Sequence, residues 1–395
     1  MIEWFAFREP LPKANEVEAG RMQDLFLSLI NTQPESVPIM IENPLDMKRK
    51  THVFERGNRL TLGEEVQPTV PAVLNDFPEN EPKNRLGFAK WIASKENPLT
   101  ARTLVNRVWA QLFGRGLVEP LGDMGTQSNP PIHGALLDYL ALDVMYEKNW
   151  SMKSLIKEIV MSSTYKQSSD LNTDDTKKDP DNHYLARGSR FRLTAEQIRD
   201  QTLSVAGLLS TKMYGPSVMP YQPDGVWMTV YSGESWNKSQ GEDQYRRGVY
   251  TFLKRTSPYP SFISFDASSR ELCLVDRIRT NTPLQALTTL NDPVYLEAAK
   301  HLSEFMEKES KGDLQKALAM GYRRVMLRSP IKEKLNALEK LYGSAKLDFS
   351  KKPKDAERFL GVQSGKLTNE QVISQAAYMV VANALLNLDE FLTKS

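Results

Sequence analysis

The chain has 395 residues, 40% of them hydrophobic and 25% charged, which is ordinary for a soluble globular protein and excludes collagen-like, coiled-coil or wholly disordered organisation. Lysine and arginine total 51 against 49 acids, a net charge of +2 that is too even for electrostatic capture of nucleic acid or anionic membrane by the chain as a whole. Cys273 is the only cysteine, so neither an intrachain disulfide nor a cysteine-based zinc, iron–sulfur or covalent haem site can form from this chain alone.

Prolines 10, 12, 34, 38 and 44 break residues 1–50 too often for long elements, apart from an amphipathic turn or two around 24–30. His52-Val53-Phe54-Glu55-Arg56 reads as a short strand ended by Gly57-Asn58. Residues 67–82 carry four more prolines and read as an extended connector. Helices follow. One spans 85–94; another starts at Asn97-Pro98, runs through Leu104, Val108 and Leu112, and stops at Gly114. Residues 133–146 and 151–162 form a helix pair, and 171–182 is polar enough to read as a solvated loop.

Thr194-Ala195-Glu196-Gln197 is a capping box opening a helix with Ile198, Thr202, Val205 and Leu209 on one face. Residues 215–241 are loop-like and carry Tyr221, Trp227, Tyr231 and Trp236. Residues 248–255 have the β-branched and aromatic content of a strand. Thr282-Pro283-Leu284-Gln285 is a second capping box and Asp292-Pro293 a further helix start. Helices around 313–326, 330–342 and 369–392 complete the chain. The expected class is mainly α: an irregular multi-helix domain with long loops and a few short β-strands. A proline-rich lead-in over 1–80 precedes a helical domain over 81–395, with room for a break near 171–190.

No stretch reaches the roughly 18–20 apolar residues of a membrane helix, so no membrane insertion is expected. Met1-Ile2-Glu3-Trp4 lacks the basic-then-apolar pattern of an export leader. On that ground the chain reads as cytosolic or as an internal piece of a longer protein.

Several strings together resemble one family. They include Arg56-Gly57-Asn58, Pro98-Leu99-Thr100-Ala101-Arg102, Val105-Asn106-Arg107-Val108-Trp109 and Phe113-Gly114-Arg115-Gly116-Leu117-Val118. Ser163-Thr164-Tyr165-Lys166-Gln167-Ser168-Ser169, Ala195-Glu196-Gln197-Ile198-Arg199-Asp200, Tyr221-Gln222-Pro223-Asp224-Gly225-Val226-Trp227 and Thr280-Asn281-Thr282-Pro283-Leu284-Gln285 continue the series. The chain resembles, over about residues 50–392, the C-terminal domain of unknown function of planctomycete-type proteins that also carry a cytochrome c domain. The resemblance implies an exported, extracytoplasmic protein associated with breakdown of complex, often sulfated, polysaccharides. It places haem only in a separate upstream domain, so no cofactor is expected in this chain, and it carries over no catalytic residue.

The residues themselves offer three candidate sites. Between 246 and 279, Arg246, Arg247, Lys254, Arg255, Arg270, Arg277 and Arg279 outnumber Asp266, Glu271 and Asp276. Arg246, Arg247, Arg255, Arg270 and Arg279 could grip a sulfate or uronate through their planar forks, with Tyr221 and Trp227 stacking on sugar rings. The ordinary alternative is that these arginines pair with the acids and fix loops. Asp266 and Glu271 are the pair most like the two carboxyls of glycoside hydrolysis; Asp266 could equally be a cap. His133, after the Asn129-Pro130-Pro131 loop, is the best imidazole, with Asp123 as its orienting carboxylate. The four histidines are scattered and no metal site is expected. Elsewhere, Asn106 and Arg107 read as ties to Asp123, Glu196–Arg199 as an ion pair, and Cys273 as a packed small hydrophobe.

Two functions stand on these readings. The first is binding of an anionic or sulfated polysaccharide, and its processing if the domain is an enzyme, beside a cytochrome c-type module. The second is a non-catalytic scaffold docking a haem domain or another partner. Nucleic-acid binding fits poorly with the charge.

Overall fold

The computed structural model describes residues 16–31, 37, 39–170, 173–226, 235–362 and 367–394. Among these, fifteen α-helices and two small two-stranded sheets make the protein mainly α. No helix among them is long and apolar enough to cross a membrane. The chain divides into two compact units, with the break between Asn97 and Pro98.

The first unit holds helix α1 (Glu16–Asn31), an antiparallel hairpin of β1 (Thr51–Phe54) and β2 (Leu62–Val66), and α2 (Arg85–Ile92). The strand expected at 52–56 is β1; its partner went unread because Gly63-Glu64-Glu65 breaks any apolar alternation. Asn84 caps α2 by accepting from the Gly87 amide, and Trp91 is buried with its indole donating to the Asn75 carbonyl at 2.8 Å.

The second unit contains two hydrophobic cores. The first is built by α3 (Thr100–Phe113), α4 (Gly134–Tyr146) and α5 (Met152–Met161), through Val105, Trp109, Phe113, Leu140, Val144 and Leu155. Of the i, i+4, i+8 stripe read along 104–112, only Val108 is buried; the core face of α3 is Ala101, Val105, Val108, Trp109 and Phe113, and the helix starts at Thr100 with Leu99 at its N-cap. Gly114 ends α3 at φ 83°, and a Cβ there would sit 2.6 Å from the Phe191 ring, so only glycine satisfies both backbone and packing. Asn106, buried in α3, holds both the N–H and the C=O of Val118 (3.0 and 2.8 Å) and so pins the loop leaving the helix; it does not reach Asp123. Arg107 is exposed. Arg102 ties α3 to Asp138 on α4 at 2.6 Å.

The polar stretch after α5 contains α6 (Thr173–Lys178), followed by a turn at 179–183 and strand β3 (Phe191–Arg192). The second core gathers α7 (Ala195–Ala206), α8 (Pro260–Ser264), α10 (Pro293–Ser310), α11 (Leu314–Met326), α12 (Lys332–Lys351), α13 (Pro353–Leu360) and α14 (Asn369–Leu386), with α9 (Pro283–Asn291) alongside. α14 is apolar on every side and runs through this core, with Ala376, Val381, Ala382 and Leu385 fully buried. α15 (Asp389–Leu392) leads into β4 (Thr393–Lys394), which pairs antiparallel with β3.

The Thr194 capping box forms as read from sequence. At Thr282 only half of it forms. The hydroxyl accepts from Gln285 N, but the Gln285 amide turns to Asp266 and Thr280 instead. The strand expected over 248–255 is absent: residues 248–250 make a 3-10 turn and Thr251 contributes a single bridge to Val218. Val249 is exposed, and no partner strand lies beside the segment among the described residues.

Candidate functional site

The arginine-rich region does not converge into one pocket. Arg246 is 1% exposed and spends its guanidinium on the carbonyls of Lys212, Tyr214 and Pro216, with the Tyr250 ring 3.7 Å from its centre. It is therefore a buried brace that no ligand reaches, contrary to its expected role as an anion grip. Arg247 is half-exposed and pairs with Asp200 at 3.2 Å, the other oxygen of which accepts from the Gly248 amide. Arg277 pairs with Glu196 at 2.8 Å. Burial alone would push the Glu196 carboxyl up; the Arg277 guanidinium together with backbone and Thr194 donors outweighs it and holds the carboxyl below its ordinary range. Glu196 therefore pairs with Arg277, and not with Arg199, which is buried and donates to the Gln244 carbonyl. Arg279 donates to the Gly114 carbonyl and lies over Phe191, and burial lowers its affinity for a proton. Arg255 and Arg270 are exposed, without an acidic partner among the described residues.

Asp266 stands at φ 56° just beyond α8. One of its oxygens accepts from the Thr280 amide (2.8 Å), the Thr280 hydroxyl (2.7 Å) and the Gln285 side chain (3.4 Å). It clamps the 280–285 segment onto the end of α8. The space beside it, lined by Arg192, Arg279 and Gln285, measures about 10 Å³, room for no more than one water. Glu271 is exposed and does not line that space. No sugar ring fits there, so the expected two-carboxyl site is not assembled.

Of the aromatic candidates, Tyr221 is exposed with Lys238 5.5 Å above its ring. Trp227 and Tyr231 lie outside the described residues. Trp236 stacks on Tyr259 and donates to the Pro220 carbonyl, anchoring its loop. Cys273 is exposed, not packed, because the 270–278 segment carrying it lies on the surface with Leu272, Leu274 and Ile278.

A larger concavity lies elsewhere, where the end of α3 faces the 179–191 segment. It is a cleft of about 780 Å³, within the range of about 300–1,000 Å³ common for ligand sites. Trp109 and Phe113, stacked at 4.1 Å, form an apolar floor, and the 113–117 string supplies one wall. The opposite wall is the 179–183 turn, and three side chains converge on its carbonyls. Arg187 donates to the carbonyls of Asp179 and Pro180 (both 2.9 Å). Arg115 donates to that of Asp181 (3.4 Å), and the His133 ring meets that of His183 at 3.0 Å. The turn holds its shape because the Asp179 carboxylate accepts from the amides of His183 and Tyr184. Burial would raise that carboxyl, but these two bonds hold it below its ordinary value.

Charge alternates along the rim. Arg115 is bonded to Glu119 through Nε at 3.0 Å and lies 3.5 Å from Asp181, whose other oxygen is 3.7 Å from His183 Nε2. Arg190 pairs with Asp389 at 2.6 Å. Arg187 is the cleft arginine that has no carboxylate within ion-pair distance among the described residues. His133 thus belongs to the site, but Asp123 does not. That carboxylate closes its own turn on the Gly125 amide at 2.7 Å, and the carbonyl of His183 orients the imidazole instead. Arg115, Asp181, His183 and Arg187 were missed because the last three sit in or beside a stretch that reads as solvated polar loop. No group of three or more potential metal ligands occurs among the described residues.

The family model described as PSD1, protein of unknown function (DUF1553), matches residues 84–342, which takes in the first core, the second core as far as α12, and every residue of the cleft. No curated protein matches the chain, and no solved structure does. With more than half of its length matched, the chain belongs to the PSD1 family of unknown function, the C-terminal domain of planctomycete-type proteins that its sequence resembles.

Proposed function

We propose that the protein binds an anionic glycan, with the cleft between α3 and the 179–191 segment as its seat, and that it does so as an extracytoplasmic domain beside a cytochrome c-type module of a longer chain. The observation that carries the reading is Arg187, a guanidinium lining the cleft with no carboxylate within ion-pair distance among the described residues, whereas Arg115 pairs with Glu119 and Asp181 and Arg190 with Asp389. An anionic group on the ligand would pair with Arg187, while the alternating donors and acceptors of the rim suit hydroxyl groups. The apolar floor of Trp109 and Phe113 suits the carbon face of a sugar. Arg255 and Arg270, on another surface, are at most accessory contacts.

The test is a glycan array with sulfated, uronate and neutral oligosaccharides, read for the wild type and for Asn129→Trp, which puts a bulky ring at an exposed position in the cleft lining. Binding to acidic glycans that Asn129→Trp abolishes is the expected result. Binding to none, or binding indifferent to that substitution, overturns the proposal.

A second reading, docking of a haem-bearing partner, draws on one observation: Leu272, Leu274, Ile278, Leu284 and Leu287 are all more than half exposed on the 270–278 segment and α9. A c-type haem module that binds the wild type but not a Leu284→Lys, Leu287→Lys variant is its expected signature. Equal binding by both contradicts it.

A further inference from the structure

Resting on the glycan reading of the cleft, we propose that the domain cleaves uronate-containing glycans by β-elimination, with His133 as the base, Arg187 as the partner of the uronate carboxylate and His183 as the proton donor to the leaving oxygen.

A carbonyl oxygen only accepts, so the ring nitrogen of His133 that faces the His183 carbonyl at 3.0 Å carries the hydrogen. In the neutral ring the lone pair then sits on Nδ1, which has no hydrogen-bond partner among the described residues, and the residue lines the cleft. His133 stands at the N-cap of α4, with no capping hydrogen bond from its side chain. Arg187, bonded to the same turn, supplies a positive charge to the same cavity. His183 Nε2 stands 3.7 Å from an Asp181 oxygen, on the same cleft lining.

A uronate is the ligand that uses this set. Its carboxylate, paired with a guanidinium, acidifies the hydrogen on the adjacent ring carbon. That proton passes to His133 Nδ1, and the C–H electron pair becomes a carbon–carbon double bond. The neighbouring bond to the bridging oxygen breaks, and the oxygen leaves with the proton of His183. Exchange with water returns both imidazoles to their starting states, so the step consumes no co-reactant. Hydrolysis would need a carboxyl bearing a transferable proton, whereas both cleft carboxylates are ion-pair partners of Arg115.

The experiment incubates the full chain with polygalacturonate, alginate, chondroitin sulfate and heparin. It follows the ultraviolet absorbance of the unsaturated uronate and measures binding in parallel by calorimetry. The expected result is an absorbance rise with at least one polymer. His133→Ala should lower the rate by about 100-fold or more while leaving binding in place. His133→Gln keeps a donor for the His183 carbonyl but no base, and should be equally slow, which separates loss of the base from loss of the fold. Binding without any absorbance rise overturns the elimination and leaves the glycan reading standing; no binding to any of the polymers overturns both. A His133→Gln variant at wild-type rate removes His133 from the step.

Discussion

Asp266→Ala separates a structural clamp from a catalytic group. The carboxylate accepts three hydrogen bonds, one of them from Gln285, which is 0% exposed. Bonds to a charged acceptor contribute about 1.5–3 kcal/mol each. The Gln285 amide and the Thr280 hydroxyl still hold each other at 3.1 Å after the change, so the main loss is the stranded Thr280 amide. A destabilisation of about 2–3 kcal/mol follows, which in a unit of this size lowers Tm by on the order of 5 °C. The backbone adds a signature. At φ 56° a non-glycine residue is strained, so Asp266→Gly should be less destabilised than Asp266→Ala by about 1 kcal/mol. Urea and thermal melts of wild type, Ala, Gly and Asn variants measure this ordering directly, the Asn variant falling between wild type and Ala because it keeps an acceptor oxygen. An Ala variant that melts with the wild type yet loses ligand binding would refute the clamp and return Asp266 to the functional groups.

Three further outcomes follow from the packing. Glu196 has its folded pKa depressed below the ordinary 4.5, so its contribution is complete above that value and is lost as pH falls through the folded pKa; Glu196→Gln should flatten the acid limb of a stability–pH profile, and an unchanged limb contradicts the Arg277 pairing. Gly114→Ala forces a Cβ against Phe191 and a left-handed backbone, and should cost about 2 kcal/mol or more in a urea melt while also narrowing the cleft. Arg246→Met removes the guanidinium that holds three loop carbonyls and should cost about 2 kcal/mol or more, with glycan binding by the folded fraction unchanged; a variant as stable as wild type that no longer binds would contradict its role as a brace.

Helices were legible wherever periodicity and caps agreed, as along α3 and at the Thr194 box, because both signals are local. The strand over 248–255 was misread for the complementary reason: β-branched and aromatic residues fit a pleated surface only if a partner strand exists, and none is there among the described residues. The arginine count between 246 and 279 was correct, but a count is silent on direction. Arg246 points into carbonyls, Arg277 reaches Glu196 eighty-one positions away, and Arg279 crosses to Gly114. The cleft was legible only through His133. Its other parts come from the 179–191 stretch, whose polarity is that of any solvated loop until Asp179 folds it into a turn, and Arg187 from the same stretch and the distant Arg115 and His133 close on its carbonyls. Polar loop composition carries no information on such convergence, which depends on contacts across 50 residues and more.

Calorimetric titration with a single acidic oligosaccharide, comparing Arg187→Ala with Arg255→Ala, weighs the two arginine surfaces against each other. The expected result is at least tenfold weaker binding for Arg187→Ala, or about 1.4 kcal/mol, with Arg255→Ala indistinguishable from wild type. The opposite ordering would move the ligand out of the cleft and onto the exposed arginines of the 246–279 region.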